Sequence, residues 1–316
     1  TAVTNNSITY QYDTTHSLMK DVGNNIRYYG ASSNNYIYFN CSDYSNQSSS
    51  TCEIWRIIGV FDGKTKLIRN ESIGTIEYDS NNENTYLQSI SNYNNSVDKT
   101  TLEYSLDKNN KIILSGWGVP ENSGENDYSK ASLQKLLNNY YYNGLKYVGS
   151  VTLDFTDIGF KNDTTRELIS ETTYYLGGLN SSSIYSNQIY DYERGTKVYS
   201  GNATTWIGRI ALAYLSDYGY AVDLSKCSKT LDNYSDSTCT SNNWMKAILV
   251  TSSWGWLLTP NSGSSSSAWY VTSDGPVHSG SDAYRANGVV PVLYLNANAN
   301  IKSGTGTSSE PYQLSV

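Results

Sequence analysis

Short apolar runs alternating with turn residues decide what this chain can fold into, and Trp254 to Leu295 shows the pattern most plainly. The runs are Trp254-Gly-Trp-Leu-Leu-Thr-Pro260, Ala268-Trp-Tyr-Val-Thr272 and Gly288-Val-Val-Pro-Val-Leu-Tyr-Leu295. None is long enough for a typical helix, and Asp274-Gly275 lies between two short runs, a strong hairpin signal. Val289 to Leu295 is apolar at nearly every position, as in a strand buried on both faces. The segment between them, rich in Ser, Gly, Asp, Tyr and Arg, is too polar for core. The expected arrangement is a rigid β frame that carries a polar loop surface suited to binding.

The same grammar recurs upstream. Tyr36 to Asn40 alternates as a strand, and Asp62-Gly63 joins strands at Glu53–Phe61 and Lys66–Arg69. Ser129 to Tyr140 is predicted as a helix, since Leu133, Leu136, Leu137 and Tyr140 recur at i, i+3, i+4 and i+7. A second helix is predicted over Thr164 to Leu176, capped by Asn162 or Asp163. Ile210 to Tyr214 reads as a strand. Residues 79 to 110 read as a long Asn-rich surface insertion. Residues 1–26 show no sustained period and are expected to be a tail or linker, with a strand at Ser7 to Tyr12 at most. One domain, residues 27–316, is expected after it.

Composition narrows the function. The chain carries 30 Tyr and 7 Trp against 4 Phe, with only 16% charged residues and a net charge of −7. No basic cluster exists to meet nucleic acid or an anionic membrane, and no apolar run is long enough to span one. Catalysis needs convergent titratable groups. The two His, His16 and His278, lie in the expected tail and in the C-terminal hairpin. Ser279, His278 and Asp282 are too close in sequence for a triad geometry. Asp154 and Asp157 read as turn chemistry, not as a glycosidase pair or calcium ligands. The reading is no enzyme, no cofactor and no metal.

The 4 Cys fall in two close pairs without metal-site spacing. Cys41–Cys52 and Cys227–Cys239 are therefore expected as two local disulfides in an exported protein. An N-terminal segment removed during export is expected to precede Thr1.

Several motifs also resemble a group of surface proteins from Firmicutes and Mollicutes. They are Asn35-Tyr-Ile-Tyr-Phe-Asn-Cys41, Cys52-Glu-Ile-Trp-Arg-Ile-Ile-Gly-Val-Phe61, Tyr192-Glu-Arg-Gly195, Ser216-Asp-Tyr-Gly-Tyr220 and the C-terminal Gly-Val-x-Pro-Val-Leu-Tyr-Leu run with its Gly-rich tail. The resemblance spans about Arg27 to the end, with Val290 standing where the group has Arg. It implies an α+β, C-type-lectin-like fold with small antiparallel sheets, two principal helices and long loops. That fold is shared with formylglycine-generating enzymes and with the variable proteins of diversity-generating retroelements. The chemistry of those enzymes uses cysteines near the C-terminus, and none follows Cys239 here.

The leading functional reading is an extracellular, bacterial cell-surface, adhesin-like protein that binds a protein or glycan ligand. Trp269, Tyr270, Asp274, His278, Asp282, Tyr284 and Arg285 are the candidate contacts, because aromatics and Arg dominate such sites. Trp254, Trp256 and Trp269 are equally candidates for core. The alternative reading is a structural subunit of a pilus-like or surface-layer assembly, with self-association in place of a ligand.

Overall fold

The computed structural model describes residues 1–74, 104–106, 112–114, 126–148, 152–250, 254–283 and 287–316. It is a mixed α+β, strand-rich protein with several small antiparallel sheets and few helices. The largest sheet has nine strands. Its first members in chain order are β1 (Ala2–Asn5), β2 (Ile8–Asp13), β3 (Leu18–Lys20), β4 (Ile26–Tyr28), β5 (Tyr36–Phe39), β6 (Glu53–Phe61) and β7 (Lys64–Arg69). Outside it, β8 (Tyr104–Leu106) pairs with β9 (Ile112–Leu114), β10 (Lys146–Val148) with β11 (Thr152–Asp154), and β12 (Thr172–Tyr175) with β13 (Thr205–Gly208). Next come β14 (Ile210–Ala211), β15 (Gly255–Pro260), β16 (Ser267–Val271), β17 (Val277–Asp282), β18 (Val292–Tyr294), β19 (Asn300–Ser303) and β20 (Gln313–Ser315). The large sheet runs β1-β2-β3-β4-β6-β7-β18-β14, with β5 also on β6.

The β6–β7 hairpin forms as the sequence reading expects. Asp62 and Gly63 both take positive φ, 48° and 75°, as a two-residue turn matched to strand twist requires. β6 is buried on both faces along most of its length. Trp55 packs edge-on to Phe39 at 5.3 Å, with Phe160 beyond it at 6.2 Å. The other face holds Arg56, whose guanidinium lies over Tyr36 at 3.7 Å. The run Val289 to Leu295 is buried throughout, but only Val292–Tyr294 is regular strand, because Pro291 cannot donate to a ladder. Val290 is itself in the core.

Residues 1–26 are not a tail. They supply β1, β2, β3 and the start of β4, and the expected boundary at 26/27 falls inside β4. Tyr10, Tyr12 and Met19 point inward while the residues between them face solvent. Asn5 Nδ2 donates to the carbonyls of Leu224 and Cys227, each at 2.9 Å. The docking of β4 depends on Gly59, where the pairing of β6 with β7 shifts register. A Cβ there would stand 2.1 Å from the Ile26 carbonyl oxygen. Gly59→Ala is therefore expected to destabilise the protein by about 1 to 3 kcal/mol through overpacking. A denaturant midpoint equal to that of the wild type would show that β4 does not rest there.

The first predicted helix is present as Ser132–Lys135 continued by a π-helical stretch, Leu136–Tyr141. Leu133, Leu136 and Leu137 are fully buried. The wider π turn rotates the apolar face by about one residue, so Tyr141 is buried and Tyr140 only partly so. The second predicted helix is corrected. It ends at Glu167, with Asn162 Oδ1 capping the Thr165 N–H at 2.9 Å. Thr172–Tyr175 is a strand, as its β-branched and aromatic residues favour. Two further helices, Ser186–Glu193 and Leu215–Tyr220, carry motifs from the sequence and pack on each other. The expected insertion at 79–110 lies outside the described residues except for Tyr104–Leu106.

Both disulfides are present, with S–S distances of 2.06 Å for Cys41–Cys52 and 1.98 Å for Cys227–Cys239. They fit an oxidising environment outside the cytosol. Among the described residues, no helix is long and apolar enough to cross a membrane.

Candidate functional site

The C-terminal sheet β15-β16-β17 carries a row of aromatic rings across its strands. Tyr270 on β16 pairs in register with Trp256 on one side and His278 on the other. Directly opposed residues share a face, and Trp254, two before Trp256, shares it as well. Trp254 stacks on Tyr270 with ring centroids 4.9 Å apart at 27°. His278 follows at 5.9 Å and 34°. Trp254 is 38% exposed and His278 is exposed, while Tyr270 between them is largely covered by its neighbours. The result is a shallow aromatic shelf whose exposed rings are Trp254 and His278, with Tyr270 and Trp256 buried behind them.

The rest of the hairpin fixes the shelf. Thr272 N–H donates to the Pro276 carbonyl at 2.9 Å and Gly275 N–H to the Thr272 carbonyl at 3.0 Å, closing the turn. Gly275 sits at φ +116°, and a Cβ there would approach the Tyr234 carbonyl oxygen at 2.9 Å. Asp274 is exposed at the tip. The Thr272 hydroxyl donates to its Oδ1 at 2.7 Å. That hydrogen bond, with lesser help from His278 and Lys246, holds the Asp274 carboxyl below its ordinary pKa. The shelf therefore ends in a carboxylate.

Asn126 fixes the β15–β16 loop. Its Nδ2 lies 2.8 Å from the Asn261 carbonyl, 2.8 Å from that of Ser264 and 2.6 Å from that of Ser267. Asn261 Nδ2 in turn reaches the Ser279 carbonyl at 2.9 Å. Sequence reasoning offered no signal for Asn126, which lies 141 residues from Ser267.

Of the seven predicted contacts, the structure gathers three. Tyr270, Asp274 and His278 stand together on or beside the shelf. Trp269 does not join them. Strand alternation turns it to the opposite face, where it is fully buried and its Nε1 donates to the Leu179 carbonyl at 3.3 Å. Asp282 closes β17, its backbone paired with Ser267. Tyr284 and Arg285 lie outside the described residues. Trp256 is core as expected, whereas Trp254 is the exposed end of the row. A parity count from Tyr270 through the register would have found it, had the register been known.

His16 stands apart on the β2–β3 turn, where its Nδ1 meets Asp13 Oδ2 at 2.7 Å. Asp154 Oδ1 accepts from Thr156 N–H at 3.0 Å, the turn chemistry read from sequence. Among the described residues no cluster of His, Cys, Asp or Glu could hold a metal ion. Comparison with protein-family models, with characterised proteins and with solved structures finds no match for the chain.

Proposed function

We propose that this is an exported, cell-surface protein with a C-type-lectin-like fold that binds a protein or glycan ligand on its C-terminal face, without catalysis. The observation that supports the reading is the row Trp254–Tyr270–His278, with its two end rings, Trp254 and His278, exposed on a sheet fixed from behind. Exposed stacked aromatics bring contact area at low conformational cost. Asp274 at one end gives the face a charged group for specificity.

The test is a glycan array together with a panel of extracellular matrix proteins, run on the wild type and on Trp254→Ala. The variant is expected to melt within about 0.5 kcal/mol of the wild type. Its binding is expected to weaken by at least about 2 kcal/mol, roughly thirtyfold, as removal of an aromatic hot spot does. Undiminished binding by Trp254→Ala would remove the shelf from consideration.

A second reading, self-assembly, draws on β1, which ends the large sheet and leaves one edge open to strand addition. Sedimentation at rising concentration separates the two. Growing filaments favour assembly, and a constant monomer favours the binding face.

A further inference from the structure

A second cavity lies away from the aromatic shelf and shares no residue with it. It has a volume of about 260 Å³. Five stretches of chain converge on it: the β3–β4 turn, the β6–β7 turn, β12, the end of the helix Ser186–Glu193, and β18. Its chemistry centres on Arg194, from the Tyr192-Glu-Arg-Gly195 motif that the aromatic shelf does not use.

The helix end fixes Arg194 in place. Its guanidinium carbon lies 3.5 Å from the Tyr190 ring centroid and 5.5 Å from that of Tyr175. Nη1 donates to the Tyr190 carbonyl at 3.3 Å. The adjacent Glu193 pairs with Nη1 through Oε2 at 3.6 Å and also accepts from Ser216 N–H at 2.9 Å, from the Ser216 hydroxyl at 2.5 Å and from the Thr259 hydroxyl at 2.9 Å. Arg194 Nε and Nη2 have no protein partner among the described residues. The guanidinium is thus a preset fork, about a quarter exposed at 23%, on the cavity wall. Such a fork matches the geometry of a carboxylate.

The remaining lining agrees. Lys64 enters from β7, its Nζ anchored on the Ser170 hydroxyl at 2.7 Å and two donors left over. Asp62 is the single acid in the lining. The lining thus carries two cations against one carboxylate, with Glu193 paired to Arg194 beside it. Tyr175, 37% exposed, gives a ring face at the mouth. Thr172, Thr173 and Asp62 offer hydroxyl and carboxylate partners for hydroxyl groups. A volume of about 260 Å³ sits just under the roughly 300 to 1,000 Å³ of sites for drug-sized ligands. The occupant is therefore about one ring in size.

We infer that this cavity binds a carboxylated sugar residue, with its carboxylate on Arg194 and Lys64, its ring face on Tyr175, and its hydroxyls on Asp62 and the two threonines. Free sugar acids and the terminal acidic residue of a glycan share this chemistry.

The experiment titrates glucuronate, galacturonate, N-acetylneuraminate and glucose separately into the full, nitrogen-labelled chain and follows the amide resonances. At least one acid is expected to shift Thr172, Thr173, Tyr175 and Arg194 saturably, with a dissociation constant in roughly the millimolar range. Glucose should bind at least about tenfold more weakly, since it lacks the charge-assisted pair. Arg194→Gln should erase the preference for the acid, and Arg194→Lys, which keeps charge but loses the fork, should restore part of it. Tyr175→Ala should weaken all sugars alike, and Lys302→Gln, an exposed charge loss on β19, should change nothing. Linking the acid as a disaccharide terminus separates the glycan source from the free one by retained or lost shifts. The inference is overturned if no acid saturates, if glucose matches the acids, if Arg194→Gln keeps the preference, or if the shifts map to β15–β17.

Discussion

Asp217→Ala is expected to cost about 3 to 5 kcal/mol of folding stability, the range for removing one partner from a buried ion pair. Asp217 lies in the helix Leu215–Tyr220 with its side chain fully buried. Its Oδ1 accepts from Arg27 Nη1 at 2.8 Å. Its Oδ2 accepts from Lys66 Nζ and, at 2.9 Å, from the Tyr214 N–H. Arg27 also bonds Asp21 through Nε at 2.5 Å, so two cations face two carboxylates away from water. Aromatic rings line the cluster, with Phe61 4.5 Å from the Arg27 guanidinium and Tyr214 4.3 Å from Lys66 Nζ. They ease the desolvation of the cations but cannot replace a counter-charge. Without Asp217, Arg27 and Lys66 share Asp21 alone, and one cation is stranded. Lys66→Met added to Asp217→Ala should therefore recover part of the loss by removing the stranded charge. Urea unfolding of the two variants measures both effects. A loss under about 1 kcal/mol for Asp217→Ala, set against that expected range, would mean that the cluster is hydrated and cheap to break.

The same group predicts how stability responds to acid. Burial alone would raise the Asp217 carboxyl, but Lys66 and Arg27 outweigh it and hold the pKa below the ordinary value. A depressed carboxylate pKa stabilises the fold fully above the unfolded-state value of about 3.9. That contribution is lost as pH falls through the lower, folded-state value. The wild type should therefore lose stability more steeply below about pH 4 than Asp217→Asn, whose side chain cannot titrate.

Local chemistry made part of this molecule legible. Asp62-Gly63 announced its hairpin because only a few residue pairs accept two positive φ angles in succession. The cysteine pairs were legible from spacing alone. What escaped reading depended on partners distant in sequence. Asp217 meets Arg27 across 190 positions and Lys66 across 151, and nothing local marks those charges as buried. The strand expected at Ser7 to Tyr12 forms as β2, but its neighbours β1, β3 and β4 escaped among outward residues such as Thr4, Gln11, Asp13 and Lys20. These dilute an inward row of Tyr10, Tyr12 and Met19 into apparent aperiodicity. At the candidate site, composition could not tell which of the adjacent Trp269 and Tyr270 is buried behind the sheet. The choice follows from the register of β16 against β15 and β17, which shifts between Ala268 and Tyr270.

Removing either disulfide should cost about 3 kcal/mol in the chain-entropy model, since their sequence separations of 11 and 12 are nearly equal. The two losses should nevertheless be felt at opposite termini. The Cys41–Cys52 loop holds the C-terminal strand. Gln47 inside it donates through Nε2 to the Leu314 carbonyl at 2.6 Å and accepts from the Leu314 N–H at 2.9 Å. The Cys227–Cys239 loop holds the N-terminal strand, because the Cys227 carbonyl is one of the two acceptors of Asn5. Opening a loop frees the residues that grip the strand, so local opening there becomes easier than global unfolding. Hydrogen exchange on Cys41→Ser/Cys52→Ser should show protection lost first in β20 and β5, with β1 little changed. Cys227→Ser/Cys239→Ser should show the reverse, with β1 and β2 exchanging first. Exchange that rises evenly along the chain in both variants would show that each bridge acts only on the unfolded state. The link from loop to terminus would then be wrong, even if the 3 kcal/mol figure, roughly that of the entropy model, held.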